Sequence, residues 1–317
     1  MSILLELDGV HAAPSLIDPV FLRTPIRTSS GLDAALGCTL LAKDETDNPI
    51  GSFKGRGTEW FVATALHPGE AIVSASAGNF GQGLARAATR RGHACTVFAA
   101  ETANPAKLDA MRALGADVRL AGADFDAAKA AARHYAQEQG LRFVEDGAEP
   151  AIAQGAGTIA TELLADAAPE VVLVPLGNGA LLEGIGSVLR ARLPSAEIVA
   201  VVAAGAPSMK LSLEAERAIE TARADTIADG IAVRVPIASR LPQLRHCCDR
   251  VVAVDEAQLM SAMRLLHRHL DRVVEPAGAA GVAAILAEPA RYAGRLAATV
   301  LCGRNIHPSL REKLLAD

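Results

Sequence analysis

Three short stretches of this 317-residue chain carry residue types that could do chemistry, and each lies where a turn runs into a helical pattern. The first, Asp47-Asn48-Pro49-Ile50-Gly51-Ser52-Phe53-Lys54-Gly55-Arg56-Gly57, brings a lysine to the mouth of an apolar helix expected at 58–66. The positive end of a helix dipole disfavours an ammonium, and a free amine is what imine chemistry needs. Taken alone, the same stretch fits a solvated lysine in a turn. The second runs from a buried strand, Val171-Val172-Leu173-Val174-Pro175, through Gly177-Asn178-Gly179 into Ala180-Leu181 and a helix. Glycines there let successive backbone N–H groups turn toward a phosphate, although a plain tight turn has the same composition. The third, Ser74-Ala75-Ser76-Ala77-Gly78-Asn79-Phe80-Gly81-Gln82-Gly83, again follows a strand. Its small residues expose donors to a carboxylate and Asn79 offers a neutral amide, or the small residues simply fit a crowded turn.

Other chemistries are poorly served. The spacing around Gly177 departs from G-x-G-x-x-G, and the strand ending at Val202-Ala203-Ala204 lacks the acidic residue that would hold a ribose. No Gly-Lys-Ser/Thr follows the glycines, no G-x-S-x-G occurs, and the eight histidines form no H-E-x-x-H. A net charge of −5 without a basic patch argues against nucleic acid. The five cysteines are scattered with no C-x-x-C, which suggests reduced thiols in a cytoplasm and no zinc. The N-terminus does not read as a signal peptide, and no run approaches the roughly 18 apolar residues of a membrane span. No metal site is expected.

The positioning elements alternate as short β-rich runs and longer Ala-rich stretches of helical period, the pattern of an α/β fold with parallel strands and crossover helices. Strands are predicted at 39–43, 71–74, 94–99, 117–120, 142–144, 171–175, 198–203, 251–254 and 298–302, and a second functional helix at 84–91. Asn104-Pro105 combines a capping side chain with a proline at the first helical position, ahead of a helix that ends at Gly115. Turn formers cluster near 46–51 and 140–147, where the chain could divide.

Together and in this order, these stretches resemble the fold type II pyridoxal-phosphate enzymes, and within them the serine/threonine dehydratases. The likeness covers nearly the whole chain and includes Gly155-Ala156-Gly157-Thr158-Ile159-Ala160, Gly205-Ala206-Pro207-Ser208-Met209, Glu275-Pro276-Ala277-Gly278-Ala279 and Cys302-Gly303-Arg304-Asn305. It implies two open twisted sheets flanked by helices, as in the tryptophan synthase β-subunit, with pyridoxal 5′-phosphate between a large domain (1–50 plus 143–317) and a small one (51–142). It further implies that Lys54 carries the cofactor as a Schiff base and that Phe53 lies beside the pyridine ring. Asn79 would bond the 3′ oxygen, Gly177, Asn178, Gly179, Ala180 and Leu181 would cradle the phosphate, and Cys302 would face the ring nitrogen. Ser76, Ala77, Gly78 and Asn79 would take the substrate carboxylate. A homodimer is the family expectation.

The implied activity is that of an ammonia-lyase converting L-threonine, L-serine or a related β-hydroxy amino acid to a 2-oxo acid and ammonia. A neutral thiol at the ring nitrogen favours prompt elimination, because it cannot stabilise a full pyridinium as a carboxylate would. The chain also departs from the family pattern. Ala77 stands where racemases of the family carry a serine, Phe80 replaces the usual histidine, and the phosphate loop is altered at Asn178 and Ala180. Arg304 replaces a glycine and either reads a second substrate carboxylate or reaches solvent. The segment Val201-Val202-Ala203-Ala204-Gly205 lacks the glutamate that supplies a cation ligand in relatives. The length leaves no room for the regulatory domain of biosynthetic threonine dehydratases. A threonine synthase or β-replacement enzyme is the alternative within the same cofactor class, and a non-catalytic amino-acid or cofactor binder the alternative outside it.

Overall fold

The computed structural model describes residues 5–316. Ten strands make two sheets: β1 (Ile26–Arg27), β2 (Thr39–Asp44), β3 (Ile72–Ala75), β4 (Cys95–Ala99), β5 (Asp117–Leu120), β6 (Arg142–Val144), β7 (Val171–Pro175), β8 (Glu197–Ala203), β9 (Arg250–Val254) and β10 (Leu296–Leu301). The larger sheet has the order β1-β2-β10-β7-β8-β9 and the smaller β5-β4-β3-β6. Every pairing is parallel except β1 with β2.

Strand β7 is buried at every position and β8 at all but its first, as expected of parallel strands covered by helices on both faces. Strand β5 closes the small sheet and is largely exposed. All nine strands expected from the pattern are present, with ends displaced by at most two residues. The additional β1 spans two residues, too few for any periodicity to register. Strand β6 pairs with β3 in the small sheet, so the small sheet runs two residues past the expected division at 142/143.

Two helices begin earlier than the sequence pattern suggests. One spans Lys54–Ala65 and the other Asn79–Arg90, so Lys54 and Asn79 are the first residues of their helices. The glycines that read as turn formers are instead helical residues at close crossings. A Cβ on Gly57 would lie 2.5 Å from the carbonyl oxygen of Ile152, and one on Gly83 would lie 2.8 Å from Thr58 Oγ1. Small residues there let the 54–65 helix pack against both the Pro150–Asp166 helix and the 79–90 helix. These crossings bring the lysine and the asparagine to one cleft.

Candidate active site

The loop before Lys54 is folded around one side chain. Asn48 is buried; its Oδ1 accepts from the N–H groups of Ile50 (3.1 Å) and Ser52 (3.3 Å), and its Nδ2 donates to the carbonyls of Glu45 and Ser52. The loop is then fastened to the end of β10. Phe53 N–H donates to the Cys302 carbonyl at 3.1 Å, Ser52 bridges Gly303, and Asn305 Nδ2 donates to the Ile50 carbonyl at 2.8 Å. The Cys302 to Asn305 block thus acts as a clasp for the lysine loop.

Lys54 projects into a cavity of about 680 Å³ that also receives Phe53, Asn79, Cys302 and the glycine loop. Ser76, Ala77 and Gly78 line it, as do Gly177, Asn178, Gly179, Ala180 and Leu181, so the cavity collects every site residue expected from the sequence. Lys54 Nζ lies 4.7 Å from the Phe53 ring centroid and 5.9 Å from that of Phe80, and it donates to Asp146.

The glycine loop leads into the Ala180–Arg192 helix. Gly179 has φ +108°, a left-handed value that glycine adopts without the steric cost of a side chain. The Glu183 N–H bonds the Gly179 carbonyl at 2.8 Å as the first intrahelical contact, which leaves the N–H groups of the turn before it for an anion. At the other loop, Ser76 Oγ accepts from the N–H groups of Gly78 (3.2 Å) and Gly81 (3.0 Å), holding the turn open at the start of the 79–90 helix.

Asn79 is engaged on both ends of its amide. Its Nδ2 donates to the two carboxylate oxygens of Glu275 at 2.9 and 3.0 Å, and its Oδ1 accepts from Asn305 at 2.7 Å. Glu275 is buried and Cys302 Sγ lies 4.0 Å from its Oε1. Burial, reinforced by Asp229, raises the Glu275 carboxyl to about 7 against the opposing pull of Asn79, Lys107 and Lys54. Burial likewise pushes the Cys302 thiol well above its ordinary value, and Glu275 adds to the effect, so the sulfur is neutral.

Several lining residues were not singled out as functional from the sequence. Glu275 lay inside a block used only for its likeness, with no role attached. Asp146 is the second residue past β6, in a stretch that reads as a cluster of turn formers. The carboxyl end of a parallel strand is where ligands gather in such sheets, and that rule could have found it. Two ion pairs involve lining residues, Asp229 with Lys107 and Arg234 with Asp126 (2.5 Å). Arg304 is half-exposed, pairs loosely with Asp47 at 3.5 Å and does not line the cavity, in keeping with the solvent reading. Among the described residues no group of three or more His, Cys, Asp or Glu is placed to hold a metal ion, and no helix is long and apolar enough to cross a membrane.

Residues 17–303 match the family model described as pyridoxal-phosphate dependent enzyme. The chain is 37% identical over 290 residues to the L-threonine ammonia-lyase of Geobacter sulfurreducens, covering 90% of this chain and 71% of that one. It is 33% identical over 315 residues to the L-threonine ammonia-lyase of Thermotoga maritima, covering 98% and 78%. The processed form of threonine deaminase isoform 2 from Solanum lycopersicum superposes with a TM-score of 0.91 at 28% identity, covering 98% of this chain and 86% of that one. With its lysine, glycine loop and thiol gathered in one cleft, the chain belongs to the pyridoxal-phosphate dependent enzymes.

Proposed function

We propose that the chain is an ammonia-lyase that converts L-threonine, L-serine or a related β-hydroxy amino acid to a 2-oxo acid and ammonia. The observation that carries this reading is the placement of the Lys54 amine, the neutral Cys302 thiol and the glycine loop around one cavity. The residues suit pyridoxal phosphate: an amine over an aromatic face, and a helix N-terminus whose first N–H groups lack intrahelical partners. Lys54 would hold the cofactor covalently with Phe53 beside its ring, Gly177 to Leu181 would take its phosphate, and Asn79 and Cys302 would meet the ring's polar atoms. The cleft would lie between a small domain, 51–142, and a large domain, 1–50 plus 143–317, whose residues 1–4 and 317 fall outside the described structure.

Bound there, the cofactor supplies a sink for the electron pair left when the α-proton is removed. Lys54, once freed by the substrate amine, is the base that takes that proton. Ser76, Ala77, Gly78 and Asn79, at the start of the 79–90 helix, would hold the substrate carboxylate with backbone donors and the Ser76 hydroxyl. A thiol held neutral by burial offers no full counter-charge to a ring nitrogen, which favours early loss of the β-hydroxyl. A homodimer in the cytoplasm is the assembly and setting that accompany this reading.

The test is 2-oxo acid release by cofactor-loaded protein across L-threonine, L-serine, their D-isomers, threo-3-hydroxyaspartate and O-phosphohomoserine. Release from a β-hydroxy amino acid is expected. Turnover of O-phosphohomoserine alone, or a spectral response to amino acids without any 2-oxo acid, would replace the lyase by synthase or β-replacement chemistry.

A further inference from the structure

We infer that Asp146 is a catalytic residue that relays protons between the incoming substrate amine and Lys54 Nζ. The inference rests on the cofactor reading above, but not on the identity of the substrate.

Asp146 follows the carboxyl end of β6 and contacts the reacting nitrogen directly through Oδ2. Its side chain is 15% exposed, and its second oxygen, Oδ1, is buried without a hydrogen-bond partner among the described residues. The neighbouring acids are otherwise engaged. Glu145 is paired with Lys129 and with Arg133 (2.5 Å), and Glu275 accepts both contacts from Asn79. Among the described residues Asp146 is therefore the acid in the cavity whose only cationic partner is the amine that changes its bonding during the reaction. A carboxylate with an unsatisfied oxygen in a low-dielectric cleft is costly unless it finds a proton or a donor.

The chemistry balances through this group. An amino acid arrives as an ammonium with three N–H bonds and must lose one before its nitrogen can attack. Asp146 accepts that proton, breaking N–H and forming O–H. On taking the place of Lys54, the substrate nitrogen would give up a second proton. Both protons end on Nζ, which already carries one, so Lys54 leaves as an ammonium and Asp146 returns to a carboxylate. Return of one proton to Asp146 leaves Lys54 a neutral amine, ready for the α-proton.

The charged and titratable groups that line the cavity with this pair are Glu145 beyond β6, Asp124, Asp126 and Lys129 at the Phe125–Gln139 helix, Arg223, Asp229 and Arg234 from the segment after β8, and Glu275 and Cys302. None but Asp146 touches Nζ among the described hydrogen bonds and ion pairs.

The experiment is stopped-flow absorbance of the cofactor-loaded protein mixed with L-alanine, which exchanges with Lys54 but has no β-substituent to lose. Asp146→Asn should load cofactor to the wild-type ratio, exchange with alanine at least tenfold more slowly, and show the pH midpoint of its visible band lowered by at least one unit. Asp146→Glu should recover most of the exchange rate. Asp146→Ala, which removes the carboxylate without adding an amide, must give the same two changes and stands in should the asparagine variant fail to fold. Unchanged exchange and an unchanged midpoint in a loaded variant would overturn the inference. Slow alanine exchange in the variant of a wild type that releases no 2-oxo acid would leave the relay standing and remove the lyase assignment.

Discussion

Lys54 and Arg56 stand two residues apart in the first turn of one helix and meet opposite environments. Arg56 is fully buried. Its guanidinium donates to both oxygens of Glu45 (2.7 and 2.8 Å), both oxygens of Glu162 (2.6 and 2.9 Å), Thr158 and Thr24. Burial alone would raise Glu162, but Arg56 and Lys43 together hold it down to about 2, so the Glu162 carboxylate stays charged at any ordinary pH. Lys54 has one carboxylate for a partner, two aromatic faces, and an open cavity. The difference separates scaffold from site: where every donor is satisfied the charge locks two helices and a strand together, and where donors are left over the charge is available for chemistry.

The sharpest break in this comparison comes from Lys54→Ala. Turnover in a 2-oxo acid assay should fall by at least about a thousandfold, since the variant loses both the covalent anchor and the base. Urea unfolding of the cofactor-free protein should lose only about 1–3 kcal/mol, the cost of leaving the Asp146 carboxylate, 15% exposed, without its cation. Residual turnover above a few per cent would move the chemistry away from Lys54.

Arg56→Met tests the other side. It strands Glu45, which is wholly buried, and should cost about 3–5 kcal/mol in the same urea titration. A variant as stable as the wild type would mean that the network is a replaceable packing element and that saturation does not mark scaffold.

A smaller effect probes the boundary between the two environments. Glu275 is buried like the Arg56 network but faces the cavity, and its carboxyl is raised from 4.5 to about 7. Between those values the folded chain holds a proton that the unfolded chain releases. The stability that this group contributes is therefore full below 4.5 and lost as pH rises through 7. Glu275→Gln removes the titration, so the stability difference between variant and wild type should grow in the variant's favour by on the order of 3 kcal/mol from pH 4.5 to 8.5. Parallel pH profiles for the two proteins would show that the carboxyl titrates no differently when folded.

The sequence was most legible where one local rule fixes a local outcome. The continuous apolar runs of β7 and β8 mark buried parallel strands, and Asn104 caps its helix as expected, accepting from the Ala106 N–H at 3.0 Å. The Lys54 and Asn79 helices were read too short because glycine in a sequence marks a turn and a close helix crossing alike. Only the neighbour, Ile152 or Thr58, tells them apart.

The amino-acid sequence by itself determined the α/β class, the family likeness and the lysine, because ordered motifs and hydrophobic period are properties of the chain read in one dimension. The tertiary structure decided which charges are left over. Asp146 lies 92 positions from Lys54 and Glu275 lies 196 from Asn79, and no spacing rule connects them. Whether a carboxylate is saturated or waiting depends on every donor that folding brings within about 3 Å, and that count exists only once the chain has closed on itself.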